Sequence, residues 1–413
     1  LFKLKETLER YQDTNKAKFM NTYADERNNA AVNNIISVEE SKSFESRPHL
    51  YINPNYLTSI QQKIEKSVKL NVSNIRQKFC VMKLLADPSK RIDQRSYFNQ
   101  LVFWFPNISN GKPQFLQVQL LKDNKDAVES QNFNNYACVI RVPKVGAWIT
   151  GGAEKPIDSK SIPVKKCYEV ALSKISVLGR VKCASKPDLP NGIIGHAGIC
   201  INEFIYLVGG GDGTKALNKT FRIKWNGEGE MGKSWQPLAP LNHPRFYHSL
   251  AHIEGQDDIY CFGGANPKAV SMIEKYEIRN NKWIEVKYNG DLLKGAIHPM
   301  LIPTNNEIII WAGLDPELKT ALTGLYKFKV NTKKVEELKC DLTTTERVFF
   351  DFSDQQTVLA QNNVVFLGPY NSRSKICCYC YDPDSGKLDR VKKAFGESYQ
   401  KESNEDKSKQ SIA

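Results

Sequence analysis

The sequence has no apolar run of the roughly 18 residues that a membrane-spanning helix requires. It also has no visible secretory signal, glycine-rich phosphate loop, nucleophile-elbow serine or zinc-protease helix. Histidine is scarce, with six in 413 residues. These absences argue against a membrane protein and against the common hydrolase classes. The sequence begins at Leu1 rather than Met, which is compatible with a longer chain upstream.

The ten cysteines lack the regular spacing of a disulfide framework. Several lie inside apolar, strand-like runs, as Cys138, Cys200 and Cys261 do, which predicts buried thiols in a reducing, cytoplasmic compartment. The run 376–381 holds three cysteines. On a strand they would point to both faces, and no His or further Cys pair follows to complete four ligands. We therefore expect neither a metal ion nor another cofactor.

The chain is basic, with 58 Lys and Arg against 45 Asp and Glu and a net charge of +13. Residues 1–95 contain 17 basic and 11 acidic residues, so both parts of the chain share the excess. A nucleic-acid-binding protein would be expected to gather basic residues into one patch. The even distribution favours a solvated basic surface, and we expect no nucleic-acid partner and no membrane partner.

One stretch, residues 243–286, has the plan of a four-stranded antiparallel blade. It contains an apolar strand, a glycine pair and two large rings seven positions apart: 259–262, Gly263, Gly264, Tyr276 and Trp283. Paired glycines allow two main chains to approach where a side chain would clash. Large rings on the outer strands would fill the wedge between neighbouring sheets.

Both marks recur in phase along the chain. The glycine pair appears intact three times and in decayed form twice: Gly151-Gly152, Gly209-Gly210, Gly263-Gly264, Ala312-Gly313 and Leu367-Gly368. Successive pairs lie 58, 54, 49 and 55 residues apart, an irregular period of about 50. The seven-residue pair of rings or apolar residues returns three times: Tyr168 and Ile175, Phe328 and Val335, and Tyr381 and Leu388.

On these marks, residues from about 100 to 395 resemble the kelch-repeat family. The segment from Trp235 to Ser249 is also similar to the link between two kelch blades. The resemblance implies an all-β fold, a kelch-type β-propeller, and a role in binding proteins. Kelch proteins serve as cytoskeletal scaffolds or as substrate-recognition adaptors of ubiquitin ligases. Only Trp235 and Trp283 keep the tryptophan in its family role, so no subfamily follows.

The order of strand-like runs predicts six blades. The first is degenerate and lacks a glycine pair. The predicted strands are 79–85, 101–105 and 115–121, then 136–142 with 147–150, 197–200 with 204–208, 249–252 with 259–262, 299–302 with 307–311, 357–360 with 364–367, and 388–392. The ring would close either through contact between blades or through a strand near residue 79.

Residues 1–75 differ from the rest because they contain no glycine and show helical periodicity. Leu1, Leu4, Leu8 and Tyr11 form a short coiled-coil seam, and a second amphipathic helix is predicted over 53–68. The polar run 41–48 reads as a linker. We predict three parts: a helical or coiled-coil segment at 1–75 that self-associates or docks, a propeller at 76–397, and a disordered tail at 398–413.

The candidate partner-binding site is the ring of loops that follow the glycine pairs, since loops can vary while the strands repeat. Its residues are Glu154, Lys155, Asp212, Lys215, Asn266, Lys268, Asp315, Lys319, Asn371 and Arg373. The histidines at 196, 248 and 298 recur with the repeat, so we interpret them as structural. No catalytic residue is predicted, and no residues match the copper-radical oxidases that use kelch-like propellers. An enzyme or carbohydrate binder with its site at the central mouth is the competing hypothesis.

Overall fold

A computed structural model defines the fold. It describes residues 36–38, 50–52, 80–85, 98–105, 114–121, 136–153, 162–176, 179–227, 229–266, 268–290, 296–304, 306–315, 320–338, 356–360, 363–370, 375–382 and 387–390. The chain divides into two compact units, residues 1–73 and 74–413. Within the described residues, no helix is long and apolar enough to cross a membrane.

The first unit contains one described element, an antiparallel pair of short strands. Strand β1 (Ile36–Val38) pairs with β2 (Leu50–Ile52), with Ile36 opposite Ile52. The sequence predicted helical periodicity over residues 1–75, with helices near residues 1–11 and at 53–68 and a linker at 41–48, and it did not predict these two strands. Ile36 and Val38 in β1 and Ile52 in β2 are β-branched, which suits a strand. The predicted helices near residues 1–11 and 53–68 lie outside the described residues.

The described strands of the second unit form six sheets. The first contains β3 (Cys80–Leu85), β4 (Phe98–Phe105), β5 (Gln114–Leu121) and β9 (Arg180–Lys182). The second contains β6 (Cys138–Val142), β7 (Gly146–Thr150), β8 (Cys167–Ala171) and β10 (Ala184–Lys186). The third contains β11 (Ala197–Ile201), β12 (Phe204–Val208), β13 (Thr220–Lys224) and β14 (Gln236–Leu238).

The remaining three sheets follow the same order. The fourth contains β15 (Phe246–Ala251), β16 (Asp258–Asn266), β18 (Ile273–Glu277) and β19 (Lys282–Val286), with the short β17 (Lys268–Ala269) beside β16. The fifth contains β20 (Met300–Pro303), β21 (Glu307–Asp315), β22 (Thr320–Lys329) and β23 (Lys334–Leu338). The sixth contains β24 (Gln356–Ala360), β25 (Asn363–Tyr370), β26 (Lys375–Asp382) and β27 (Lys387–Arg390).

The first strands of the six sheets contact one another in cyclic order. Strand β3 contacts β6, and the contacts continue through β11, β15 and β20 to β24. Strand β24 also contacts β3. The second unit is therefore nearly all β, and its arrangement is consistent with a β-propeller. All four described strands of the sixth sheet come from the end of the chain, and this sheet meets the first by contact between sheets.

Apolar side chains from successive sheets form the core. Phe103 and Val118 of the first sheet pack with Ile149 of the second, and all three are buried. Further clusters join the second sheet to the third, the third to the fourth and the fourth to the fifth. The second strands β7 and β12 therefore bury both faces, which explains their nearly continuous apolar runs in the sequence.

The seven-residue pairs are direct cross-strand partners in three sheets. Tyr276 lies opposite Trp283, Phe328 opposite Val335, and Tyr381 opposite Leu388. The prediction for Tyr168 and Ile175 is wrong. Tyr168 lies opposite Ser185, because a 3-10 helix, Leu172–Lys174, and the strand β9 separate β8 from its partner β10.

The first sheet takes its fourth strand from a later part of the chain. Strand β9 pairs with β5 in parallel, from Gln119 opposite Arg180 to Leu121 opposite Lys182. Val181 is buried between the first two sheets. The sequence predicted only three strands for the degenerate first blade and did not assign residues 180–182 to it. The sequence did not predict the exchange because a three-residue strand leaves no periodic signal.

The two decayed glycine landmarks lie within strands rather than at strand ends. In the fifth sheet the pairing of β21 with β22 shifts register between Trp311 and Gly313 and then continues to Asp315. In the sixth sheet Gly368 pairs with Cys377, and the ladder continues to Tyr370. In both sheets the second and third strands therefore stay paired with each other beyond the landmark position.

Candidate functional site

The intact glycine pairs form the corners at which one sheet is bonded to the next. All six glycines have a positive φ, from +60° to +97°. The second glycine of each pair donates its N–H across the junction: Gly152 to the carbonyl of Ile193, Gly210 to that of Arg245, and Gly264 to that of Ala296, each at 2.9 Å. The same three carbonyl oxygens lie 2.2–2.6 Å from where a Cβ on the first glycine would stand.

This geometry confirms the physical reason predicted for the glycine pairs. A residue with a side chain would be strained by the left-handed backbone and would also overlap a main-chain oxygen that cannot move alone. The corners therefore place the start of each next sheet against the end of the second strand before it. Since the strands of the second, third and fourth sheets are antiparallel, the loops after their glycine pairs and the residues before each first strand share one edge of the ring. We call this edge the loop face.

In four of the sheets, one residue just before or at the start of the first strand also has a left-handed backbone. They are Tyr136, Gly195, Tyr247 and His298, with φ of 54°, 60°, 56° and 50°. The Tyr247 N–H donates to the Gly195 carbonyl and the His298 N–H donates to the Tyr247 carbonyl, each at 2.7 Å. These bonds join the third, fourth and fifth sheets in series at the loop face.

The side chains at these positions form an aromatic group that we call the mouth cluster, consisting of Tyr136, Tyr247 and His298. The ring centroids of Tyr136 and Tyr247 are 5.8 Å apart, and those of Tyr247 and His298 are 4.8 Å apart. The Tyr247 ring lies over Gly195, where a Cβ would be 2.6 Å from its Cε1 atom. Phe246 packs edge-on against Tyr247 at 5.0 Å. Glycine at position 195 thus makes room for the rings of the flanking sheets.

A buried ion pair fixes the start of the fourth sheet. Arg245 Nη2 lies 2.6 Å from Glu274 Oε1, and both side chains are fully buried. Arg245 Nη1 also donates to the carbonyls of Gly263 and Met272, at 3.1 and 2.9 Å. Glu274 Oε2 accepts from the Asn242 main-chain and side-chain amides, each at 2.8 Å. A buried pair with its remaining donors and acceptors engaged is a structural element rather than a reactive one.

Two histidines occupy equivalent positions, but only His196 has a hydroxyl partner. His196 Nε2 lies 2.8 Å from Thr150 Oγ1, the hydroxyl that precedes the first glycine pair. His248 lies beside Val208, which precedes the second pair and has no hydroxyl, and both of its ring nitrogens are buried without a hydrogen-bond partner. Burial, with Arg245 and other histidines nearby, holds the pKa of His248 well below 6.5, so its ring is neutral.

Trp235 and Trp283, which match the kelch pattern in the sequence, bridge successive sheets as predicted. Trp283 Nε1 donates to Thr220 Oγ1 of the third sheet at 3.0 Å, and its ring lies 5.1 Å from that of Tyr276. Trp235 Nε1 donates to the carbonyl of Pro187 at 3.0 Å and meets Trp148 edge-on. Each indole therefore contributes both apolar area and a directional bond to the junction.

The structure describes five of the ten predicted loop residues. Asp212 and Lys215 form a tight turn in which Asp212 Oδ1 accepts from Thr214 and from the Lys215 N–H, at 2.7–2.9 Å. These bonds lower the pKa of Asp212 to about 2. Its carboxylate is therefore largely committed to shaping the loop. The predicted role of a free contact suits Lys215, which is exposed, better than Asp212.

Three other predicted loop residues lie at strand ends. Asn266 ends β16 and faces Lys268 at the start of β17, and both are exposed. Asp315 ends β21 opposite Thr320, so it belongs to an extended hairpin rather than a free loop. Glu154, Lys155, Lys319, Asn371 and Arg373 lie outside the described residues. The loop face is thus built partly from strand extensions, which hold its side chains more firmly than open loops would.

Five thiols in the described part of the chain are buried or half-buried. Cys138, Cys167, Cys183, Cys200 and Cys261 form no disulfide. Burial raises the pKa of Cys167, Cys200 and Cys261 to about 12. Within the described part of the chain, no three His, Cys, Asp or Glu side chains lie close enough together to hold a metal ion.

Comparison with known proteins supports a kelch-like character for part of the chain. The chain is 30% identical over 106 residues to Kelch-like protein 41b of Danio rerio, which is 25% of this chain and 16% of that protein. It is 22% identical over 152 residues to the spermatocyte protein spe-26 of Caenorhabditis elegans, covering 34% of this chain and 25% of that protein. The chain thus matches no more than a quarter of the length of these relatives. No protein-family model matches it.

The sequence located the glycine corners and the tryptophans but missed other residues of the loop face. From the sequence, Arg245 and His248 together would be read as a hydrogen-bonded link between blades; in the structure Arg245 is buried and its side-chain partner is Glu274. No pattern in the sequence marked Glu274, because its strand, Ile273–Glu277, contains a second glutamate and a lysine. The predicted alignment of three histidines is off by one residue, because Pro299, not His298, lies under the third corner as His196 and His248 lie under theirs. That offset is what places His298 in the mouth cluster.

Proposed function

We propose that the second unit is a six-bladed, kelch-type propeller that holds a protein partner on its loop face and catalyses no reaction. The observation that best supports this proposal is a contrast between the buried residues at the junctions of the sheets and the segments that follow the glycine corners. The glycine corners recur at three junctions and the bridging indoles at two, and both are buried, as is the ion pair of the fourth sheet. The segments after the glycine corners differ in length and chemistry, as expected of a binding surface on a rigid frame.

Several polar groups that could serve catalysis have structural partners. Arg245 and Glu274 neutralise each other inside the fourth sheet, and Thr150 engages His196 between two sheets. The raised pKa values of Cys167 and Cys261 keep these thiols protonated, so they are poor nucleophiles. This supports binding over chemistry and fits a reducing, cytoplasmic location, which is part of the proposal.

A site-specific photo-cross-linking experiment tests the proposal. A benzophenone amino acid replaces Lys215 or Lys268 on the loop face, and Lys233 or Lys282 serves as the control position. All four are exposed, but the control positions lie by the turns between third and fourth strands, at the opposite edge of the ring. We expect the same cross-linked protein from both loop-face positions in cell extract and none from the controls. Equal yields from both edges would refute binding at the loop face.

We further propose that residues 1–75 mediate self-association or docking. The apolar seam Leu1, Leu4, Leu8 and Tyr11 supports this, because an amphipathic stripe needs a surface to cover it. Solution mass by light scattering, compared between the full chain and residues 76–413, provides the test. A monomer in both cases would remove the self-association claim. A cytoskeletal partner is the kind we expect, and the identity of any cross-linked protein tests that directly.

A further inference from the structure

We propose that the mouth cluster is the energetic centre of the partner interface and that it binds one uncharged apolar or aromatic side chain of an extended peptide segment. This inference rests on the proposed function. It adds where the binding free energy is concentrated and what chemistry the partner must present. It also implies that the charged loop residues lie at the edge of the interface and contribute little of the binding free energy.

The backbone at the mouth cluster supports a binding role. Tyr136, Tyr247 and His298 adopt left-handed conformations that L residues with side chains rarely adopt. The equivalent residue of the third sheet is Gly195, so the fold accepts the residue type that would relieve this strain. Three large side chains at a glycine-compatible position therefore cost stability. Strained residues of this kind concentrate at ligand-binding and active sites.

The location of the cluster suits the anchor of an interface. It lies at or just before the start of the first strands of the second, fourth and fifth sheets, on the loop face. All three rings are half-buried, so they are held by neighbours yet keep an accessible side. Binding hot spots are rich in tyrosine, lie near the centre of the interface and are surrounded by contacts of little energy.

Electrostatics at the cluster favour an uncharged side chain. Arg245, the cation that shortly precedes Tyr247, is buried and engaged by Glu274 and by main-chain carbonyls. Burial raises the pKa of Tyr247, so its phenol stays neutral at physiological pH. A charged partner group inserted here would lose its hydration with no counter-charge from these residues. An aliphatic, aromatic or proline side chain would instead bury apolar area against the rings.

Selection of peptides on the full chain tests this inference. A random linear peptide library is displayed on phage and selected against immobilised protein. Affinities of selected peptides are then measured by fluorescence polarisation for the wild type, Tyr247→Gly, Tyr136→Gly, Lys215→Glu and Lys268→Glu. The glycine variants copy the residue found at position 195, so they remove a ring without adding backbone strain. Thermal unfolding of each variant verifies that the fold is retained.

We expect the selected peptides to share one apolar or aromatic position. Tyr247→Gly should weaken binding by about 30-fold or more, the scale of a hot-spot residue, and Tyr136→Gly should act in the same direction. The lysine substitutions should change affinity by less than about 5-fold, the scale of exposed charge pairs. Should Tyr247→Gly unfold the protein, Tyr136→Gly gives an independent result, because Tyr136 lies on another sheet.

Two other outcomes would overturn the inference in distinguishable ways. Peptides that share acidic or basic positions, and lose binding through the lysine variants but not through Tyr247→Gly, would place the anchor on the loops and leave the proposed function standing. If no peptide binds the loop face, while oligosaccharides on an array bind and are lost with Tyr247→Gly, both the peptide anchor and the protein-binding function are wrong.

Discussion

Replacement of Gly209 by alanine tests the corner geometry on which the ring depends. Gly209 has φ of +60°, and a Cβ there would lie 2.6 Å from the Arg245 carbonyl oxygen. The left-handed backbone costs an alanine about 1–2 kcal/mol. Overlap with a main-chain atom that is itself bonded to Gly210 adds about 1–3 kcal/mol, as overpacking does in cores. We therefore expect Gly209→Ala to lower the free energy of unfolding by about 2–5 kcal/mol.

Gly227 provides the matched control for this substitution. It has φ of +75°, and a Cβ there would meet nothing within 4 Å. Gly227→Ala thus carries the backbone cost without the overlap, about 1–2 kcal/mol. Urea unfolding followed by tryptophan fluorescence and thermal unfolding followed by circular dichroism both measure the difference. If Gly209→Ala is no more destabilising than Gly227→Ala, the corner does not bring main chains into contact and the explanation of the glycine pairs is wrong.

Four further substitutions test the polar groups at the junctions. Thr150→Val should lower the free energy of unfolding by about 1–3 kcal/mol because it leaves His196 without its hydroxyl partner. Val208→Thr offers a hydroxyl to His248 and should be neutral or stabilise the protein by about 1 kcal/mol. Urea titration should therefore show destabilisation for Thr150→Val alone. Since the pKa of His248 is depressed in the folded state, its contribution to stability is complete above pH 6.5 and falls below it, by at most about 1.4 kcal/mol per pH unit. Unfolding at pH 7.5 and 5.5 should show this loss in the wild type but not in a His248→Gln variant, and an equal loss in both would exclude His248 as its source. Glu274→Gln should cost about 3–5 kcal/mol because it leaves a buried guanidinium unpaired, and a cost below 1 kcal/mol would show that the pair is not buried in solution.

The repeated marks allowed the sequence to predict the sheets that keep them. Glycine pairs mark the apolar runs of β12 and β16, and a turn follows β11 and β18. The predicted pairing of Tyr276 with Trp283 was correct in register. These features are local, because a left-handed glycine and a seven-residue hairpin are each specified within a few residues.

Other features depend on contacts that the sequence does not encode locally. Strand β9 is only three residues long, and its parallel partner lies in the preceding sheet. The mouth cluster joins aromatic residues from different sheets, and nothing about an isolated Tyr136 or Tyr247 signals a left-handed backbone. Five of the predicted loop residues lie in the described part of the chain, and only the structure showed that one of them, Asp212, is engaged in its own turn.

The most direct test of the closed ring is amide hydrogen exchange on a chain that ends at residue 350. This truncation removes β24, the neighbour of both β3 and β20. In a closed ring, the loss of one sheet exposes the first strands on both sides of the gap, so we expect residues 80–85 and 300–303 both to lose protection relative to the full chain. An open stack would transmit the loss to the adjacent fifth sheet alone. Unchanged protection of residues 80–85 would therefore contradict the ring.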